Sequence, residues 1–415
     1  MSDESGRISR RAAIGATAGA VGAALLARTG LVAQDAPAPP ATAPADPTKL
    51  PGMPTSAQGG RSPFVHPERA PTGMLSGASF TPLQELTGTI TPSDLHFERH
   101  HGGAAIIDPQ RWKLVIHGMV ERPLTFDLED LRRFPSVTRV HFIECAGNGR
   151  NAYRAPAPGM TPQQVDGLTS NTEWTGVPLS LLFREAGLKA KATWFLAEGG
   201  DAAVLSRSIP IAKGLDDALL VWGQNGEPLR VQNGYPVRLL LPGWEGNACV
   251  KWLRRLELID QPNMSRDETS KYTDPLPGGK ARQFSFEVDA KSIITSPAAP
   301  LKLDRAGWWP VRGLAWSGRG RITRVEVSTD GGKHWAEAEL QGAAMPKAHV
   351  RFQHMWNWAG RDALLLSRAT DETGYVQPTR ATFQAARGIG TDFHFNYIRG
   401  WRVDGNGAVT FEGQA

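Results

Sequence analysis

The chain carries two cysteines, Cys145 and Cys249, among 415 residues. Two cannot build a small-domain disulfide framework, a four-cysteine zinc site or an ordinary iron–sulfur cluster. Neither stands in a Cys-x-x-Cys-His run, so no c-type haem is expected on this chain. Redox chemistry here uses one thiolate at most, or a cofactor held without cysteine. Cys145 falls where the strand-forming run Val137 to Ile143 gives way to Ala146-Gly147-Asn148-Gly149-Arg150. A rigid strand ending in a Gly-Asn-Gly loop presents a thiol at a cleft. A thiolate in that position suits a soft or high-valent metal, and coordination itself removes the proton. The competing reading is a buried apolar cysteine, the commoner fate of a free thiol. Sequence position alone leaves both open.

Positive charge collects around this loop in Arg99-His100-His101, Arg150 and, in the tail, Arg402. An arginine grips a tetrahedral oxyanion with a planar fork of donors, although any one of them also reads as a solvated surface charge. Adjacent His100 and His101 make a poor zinc pair, and no His-x-x-x-His accompanies them. Gly147-x-Gly149 is not a dinucleotide loop, because position 152 is Ala where the third glycine belongs. Tyr235-Pro236-Val237-Arg238, Gly243 to Asn247 and Val250-Lys251-Trp252 form a turn-rich hairpin with cations at its edges. Such edges suit a phosphate-bearing cofactor, and edge lysines also protect sheets from aggregation.

The elements that must position these groups read as strands with short helices. Trp112, Leu114 and Ile116 alternate, Phe126 to Phe134 has helical spacing, and Val137 to Ile143 is a strand. A helix over Leu179 to Ala186 ends at Gly187, and Trp194 to Ala197, Val237 to Leu241 and Val250 to Ile259 add strands. This predicts an α+β domain over residues 76–284. Short strands at Ile293-Ile294, Val311 to Trp316, Ile322 to Ser328, Trp335 to Leu340, Val350 to Trp358 and Ala363 to Ala369 follow. Their regular spacing predicts a β-sandwich over 285–388, with Asp330-Gly331-Gly332 as a hairpin turn. The paired and spaced tryptophans from Trp308 to Trp358 fit its core better than a ligand box. An aromatic-rich tail, 389–415, is expected to pack back near the active site.

With 45 glycines and 31 prolines the chain is turn-rich, which argues against a helical bundle. A net charge of +5 is too mild for a nucleic-acid binder and fits small anionic substrates or an acidic protein partner. Ser9-Arg10-Arg11, the weakly apolar stretch Ala12 to Ala27 and Leu31-Val32-Ala33 have the layout of a twin-arginine export signal over 1–33. The stretch is broken by glycines and Arg28, short of the ~20 strongly apolar residues a membrane span needs. Residues 34–75 read as a Pro/Ala-rich linker, and the predicted location is the periplasm.

His141 to Arg150 resembles the molybdenum-binding segment of the sulfite oxidase family. Arg99-His100 resembles that family's upstream Arg-x-His element, and Tyr235 to Arg238 with Val250-Lys251-Trp252 resembles its molybdopterin hairpin. Ser270 to Asp274, Leu314 to Gly320 and Thr370 to Tyr375 are most similar to the branch of bacterial sulfane (sulfite) dehydrogenases. The resemblance runs from about Thr91 to the end. It implies one molybdenum on a single pyranopterin, with Cys145 as the thiolate ligand and the immunoglobulin-like sandwich as a dimerisation domain. Arg99, Arg150 and Arg402 would line an oxyanion pocket, with Tyr272 hydrogen-bonding close to the metal. Arg99, His100, Asp201, Asn233, Arg238, Cys249, Val250 and Lys251 fall at pterin-contacting positions. The implied chemistry is oxygen-atom transfer to a sulfur lone pair, with electrons leaving singly to a separate c-type cytochrome. A dimer, or a dimer of heterodimers, is the implied assembly.

Departures from the family pattern bear on substrate. The segment between Arg150 and Trp174 is shorter than in typical sulfite oxidases, and their extra substrate-pocket tryptophan has no match. Asn233 replaces a usual histidine, and Cys249 a frequent serine. A more open pocket would suit sulfur on a carrier-protein cysteine as well as sulfite. Two other functions fit less of the sequence: a sulfoxide reductase on the same fold, and a non-catalytic exported β-sandwich binding protein with Cys145 merely buried.

Overall fold

The computed structural model describes residue 51 and residues 54–413. The segment expected to be an export signal, 1–33, and the expected linker as far as residue 50 lie outside the described residues. The chain divides into two compact units, residues 1–62 and 63–415, and every element and cavity below belongs to the second. No helix among the described residues is long and apolar enough to cross a membrane.

An antiparallel sheet and a mixed sheet build the first part. One runs Glu227–Pro228, Leu219–Gln224, Thr169–Pro178, Val137–Glu144, with Arg238–Leu240 also paired to Leu219–Gln224. The other runs Leu124–Phe126, Leu114–Gly118, Leu253–Ile259, Trp194–Gly199, Ser206–Pro210, and its Leu114–Gly118 and Leu253–Ile259 strands are parallel. Helix Leu179–Ala186 buries Leu179, Leu182, Phe183 and Ala186, the spacing of one helical face, into the core that both sheets share. The predicted helix from Phe126 to Phe134 is shorter, Leu128–Arg132, because Leu124–Phe126 pairs with Leu114–Ile116 instead. An Asp127 capping box starts that helix. Trp252 lies in the left-handed region, so the expected strand from Val250 begins only at Leu253.

The second part is a two-sheet β-sandwich. One sheet orders Lys291–Ser296, Gly307–Trp316, Val350–Trp358, Glu339–Gln341; the other Ala336–Glu337, Ile322–Ser328, Ala363–Asp371, Gly400–Val403, Val409–Glu412. Val311, Ala315, Val325, Val327, Phe352 and Leu365 fill the space between them. The tail therefore divides. Residues 392–396 reach the Cys145 loop, whereas Gly400–Val403 and Val409–Glu412 are strands of the sandwich.

Beneath the Cys145 loop the two parts join through buried charges. Lys291 of the sandwich lies 2.9 Å from Glu144 and 2.6 Å from Asp166, and Arg399 lies 2.9 Å from Asp166. Trp316 Nε1 donates to the other Glu144 oxygen at 2.7 Å, and Asn148 Nδ2 donates to Glu144 at 2.8 Å. Two cations thus balance two carboxylates in a region from which water is excluded, the condition under which buried ions persist.

Candidate active site

Cys145 is delivered by the Val137–Glu144 strand, which pairs with its neighbour over its whole length as far as Glu144–Thr169. The Cys145 N–H donates to Leu168 O at 3.0 Å, and its carbonyl accepts from Asn148 N–H at 2.9 Å, closing a tight turn. Gly149 has φ +90, and a Cβ there would lie 2.6 Å from Arg399 Nη1, so the loop requires glycine at that point. Arg150 then starts a short helix, Arg150–Arg154, and its guanidinium donates to the Asp392 carbonyl at 2.9 and 2.7 Å. The same group lies 5.1 Å from the Phe393 ring centre.

Cys145 stands at the junction of two cavities. A deep cavity is lined by His96, Arg99, His100, Asp201, Asn233, Arg238, Asn247, Cys249 and Lys251, among others. An open cleft of about 1700 Å³ is lined by Arg99, Arg150, Arg154, Arg266, Lys271 and Asp392 together with Gly147 and Phe393. Arg99, His101, Cys145 and Tyr272 line both. The thiol is half-buried; desolvation pushes it up from its ordinary value, against the pull of Arg99, the Gly147 N–H and Arg150.

Tyr272 follows a single π-turn, Asp267–Lys271, an irregularity frequent at functional sites. That turn is anchored by fully buried Glu268, which accepts from Ser208 Oγ at 3.1 Å and Ser265 N at 3.3 Å. The Tyr272 hydroxyl is 2.7 Å from His101 Nε2. Burial, then Arg99 and Lys271, lower His101 to about 4, and burial, then Cys145, raise the phenol. The pair is neutral at pH 7.

In the deep cavity, Lys251 Nζ donates to Arg99 O at 3.1 Å and Gln232 O at 2.9 Å, and sits 2.8 Å from His100 Nδ1. Arg238 donates to Asn233 O at 3.0 Å and Cys249 O at 2.9 Å. Cys249 Sγ accepts from Leu241 N–H at 3.3 Å, and Asp201 accepts from Leu205 N–H at 3.3 Å. Ten of the sequence-derived residues, Arg99, His100, Cys145, Arg150, Asp201, Asn233, Arg238, Cys249, Lys251 and Tyr272, line one cavity or both.

Two do not. Arg402 lies on Gly400–Val403, where Trp401 and Val403 point into the sandwich; alternation turns Arg402 outward, to Glu412 at 3.0 Å. It lines neither cavity. Val250 is fully buried in the apolar core, its N–H on Ala248 O and its carbonyl accepting from Leu239. The cleft's further cations, Arg154, Arg266 and Lys271, and His96 in the deep cavity escaped the sequence reading. His96 carried one signal, a histidine between apolar neighbours Leu95 and Phe97.

The deep cavity matches a molybdopterin. Three buried polar atoms of its lining residues, His96 Nε2, Arg238 Nε and Asn247 Oδ1, have no partner within the protein. Each such orphan costs about 1–3 kcal/mol unless a guest satisfies it. A pterin has hydrogen-bonding edges, Lys251 and Arg238 complement its phosphate, and the Cys145 thiol stands where a metal ligand is needed.

Comparison with known proteins agrees with that chemistry. Residues 101–266 match the family described as oxidoreductase molybdopterin binding domain, and 282–399 the Mo-co oxidoreductase dimerisation domain. The chain belongs to the sulfite oxidase family of molybdopterin oxidoreductases. It resembles the crystal structure of the sulfane dehydrogenase SoxCD from Paracoccus pantotrophus, with TM-score 0.81 and 44% identity over 88% of this chain and 98% of that one. Curated relatives include nitrate reductase [NADH] 2 of Phaseolus vulgaris, 31% identical over 67% of this chain and 35% of that protein. Mitochondrial sulfite oxidase of Rattus norvegicus is 29% identical over 72% of this chain and 59% of that protein. The chain thus spans between about a third and three fifths of these two curated relatives.

Proposed function

We propose that this chain is a periplasmic molybdenum dehydrogenase that oxidises sulfite or protein-bound sulfane sulfur and passes electrons singly to a c-type cytochrome. The observation that carries the reading is the junction at Cys145 between a mainly apolar cavity that presents a few charged and polar side chains and a more open cleft lined by cations. The cofactor occupies the first, held by Cys145, Arg99, His100, Asp201, Asn233, Arg238 and Lys251. When bound, it supplies oxygen-atom transfer to a sulfur lone pair.

The chain's own groups do the rest. Arg99 and Arg150 offer fork-shaped donors to an anionic sulfur oxyacid, and Arg150 is held in place by the Asp392 carbonyl. Five cations of the cleft outnumber its two carboxylates, with Arg154 paired to Asp392 and Lys271 to Asp267 at 3.2 Å, so the cleft keeps a net positive charge that favours encounter with anions. Tyr272 and His101 hold a neutral hydrogen bond at the wall shared by both cavities, placing a proton at the Tyr272 hydroxyl without adding charge. The width of the cleft favours a sulfur atom carried on a protein segment alongside free sulfite. The twin-arginine layout at residues 1–33 supports export in the folded state, and the dimerisation domain supports a dimer or a dimer of heterodimers.

The test is steady-state turnover of natively exported protein with a c-type cytochrome as acceptor, comparing sulfite with a persulfidated carrier protein. Reduction of the cytochrome by neither, in protein carrying molybdenum, overturns the proposal.

A further inference from the structure

Among the groups around the deep cavity, His96 is the least explained. It precedes the Phe97-to-His101 segment and is 1% exposed, yet one ring nitrogen has no partner. The ring is fixed on its other sides. It stacks on Phe97 with centroids 5.1 Å apart and meets Trp174 edge-on at 5.7 Å. Nδ1 lies 2.9 Å from Phe97 O and 3.2 Å from Asn233 Nδ2. Nε2 is left as the single open valence of a side chain that lines the cavity. Burial, with smaller contributions from Arg238, Lys251 and Arg69, lowers the imidazole to about 3, so it is neutral at physiological pH. A neutral ring offers one donor or one acceptor at Nε2, and burying that nitrogen unpaired is unfavourable.

We propose that His96 is a cofactor-binding residue, its Nε2 completing a hydrogen bond to the pterin in the deep cavity. The rigid seat explains why a histidine rather than a second aromatic hydrocarbon is used between Leu95 and Phe97. Phe97 and Trp174 already supply the apolar contacts, so the polar edge of the ring is what the position adds. Pterin edges present donors and acceptors alternately, so either tautomer of His96 finds a complement. With Nδ1–H donating to Phe97 O, Nε2 is an acceptor; with Nδ1 accepting from Asn233 Nδ2, Nε2 is a donor. The inference concerns the cofactor and does not depend on which sulfur compound is oxidised.

The experiment measures cofactor retention in natively exported protein. Molybdenum is followed by elemental analysis and the pterin by fluorescence of its released, oxidised form, over time in mild urea. His96→Phe keeps the ring stack and removes the nitrogen. It is expected to release cofactor about tenfold faster, the equivalent of one lost hydrogen bond. His96→Gln, which restores a polar atom, is expected to recover part of that loss. Because residue 233 adjoins residue 96 at the same wall, Asn233→His in the His96→Phe background relocates the imidazole and is expected to slow release again. Far-ultraviolet circular dichroism and the unfolding midpoint of the cofactor-free forms verify that each variant folds. A folded His96→Phe protein that releases molybdenum and pterin at the wild-type rate would assign Nε2 to a buried water and overturn the proposal. So would equal loss in His96→Phe and His96→Gln, with no recovery in the relocated variant, since the ring's shape would then be what matters.

Discussion

Replacing Lys291 by Met removes the ammonium shared by Glu144 and Asp166 while keeping a stem of similar length beside Trp316, whose ring centre is 5.5 Å from Nζ. The side chains of Lys291, Glu144 and Asp166 are between 2% and 6% exposed, so the change leaves two carboxylates facing one remaining cation, Arg399, with little solvent to screen them. Breaking a buried pair from one side costs about 3–5 kcal/mol. At about 2 °C per kcal/mol for a chain of this size, the unfolding midpoint falls by about 6–10 °C. By contrast, breaking the exposed Arg122–Glu185 pair, where both side chains are more than half exposed, costs at most about 1 kcal/mol. Urea unfolding followed by the summed fluorescence of the thirteen tryptophans measures both as changes in global stability. Adding Glu144→Gln to Lys291→Met removes the charge left behind and recovers part of the loss, a coupling of about 1–3 kcal/mol. A Lys291→Met protein within about 1 kcal/mol of wild type refutes the view that this cluster holds the Cys145 loop.

Further predictions follow the same geometry. Cys145→Ser keeps the fold, with an unfolding free energy within about 1 kcal/mol of wild type, but loses sulfite- and thiosulfate-dependent cytochrome reduction; retained turnover would identify another ligand. Arg402→Ala leaves KM for sulfite and the turnover number within about twofold of wild type, because the side chain is paired outward to Glu412; a tenfold rise in KM would restore it to the pocket. Burial lowers His349 to about 3 and His141 to about 4, below the ordinary histidine value. The unfolded chain therefore binds protons that the folded chain refuses, so stability is full above about pH 6.5 and falls as pH drops towards 4. The slope is up to ~1.4 kcal/mol per pH unit for each group. Urea midpoints flat between pH 6.5 and 5 would contradict that sign.

How far the sequence disclosed the site depends on whether local pattern or long-range packing decides the position. Cys145 was legible as a loop cysteine at a strand end, but its metal role came only with the resemblance carried by His141 to Arg150, because position alone suits a buried thiol equally well. Strand Thr169–Pro178 was missed: Thr169, Ser170, Asn171 and Thr172 are fully buried, and a polar run satisfied by tertiary hydrogen bonds has no apolar alternation to detect. Thr169, for instance, bonds His349 of the sandwich at 2.9 Å, a contact separated by 180 residues. Arg402 was misplaced because a cation in an aromatic tail gives no sign of its strand register, and shifting by one residue exchanges inside for outside. Val250 came with its motif neighbours Cys249 and Lys251, which line the cavity, whereas its own side chain packs in the apolar core.

The segment 392–394 closes the wall of the cleft: Arg150 donates to the Asp392 carbonyl, the His394 N–H donates to Ala146 O, and His394 pairs with buried Glu245. These residues lie about 250 positions after the cysteine they enclose. A ribosome therefore makes the thiol, the hairpin and most of the sandwich before the parts that clasp the Cys145 loop exist. Any product ending before residue 392 has a cysteine ready for metal but an Arg150 with nothing to hold it. The site is therefore complete only once residues 392–394 have been made.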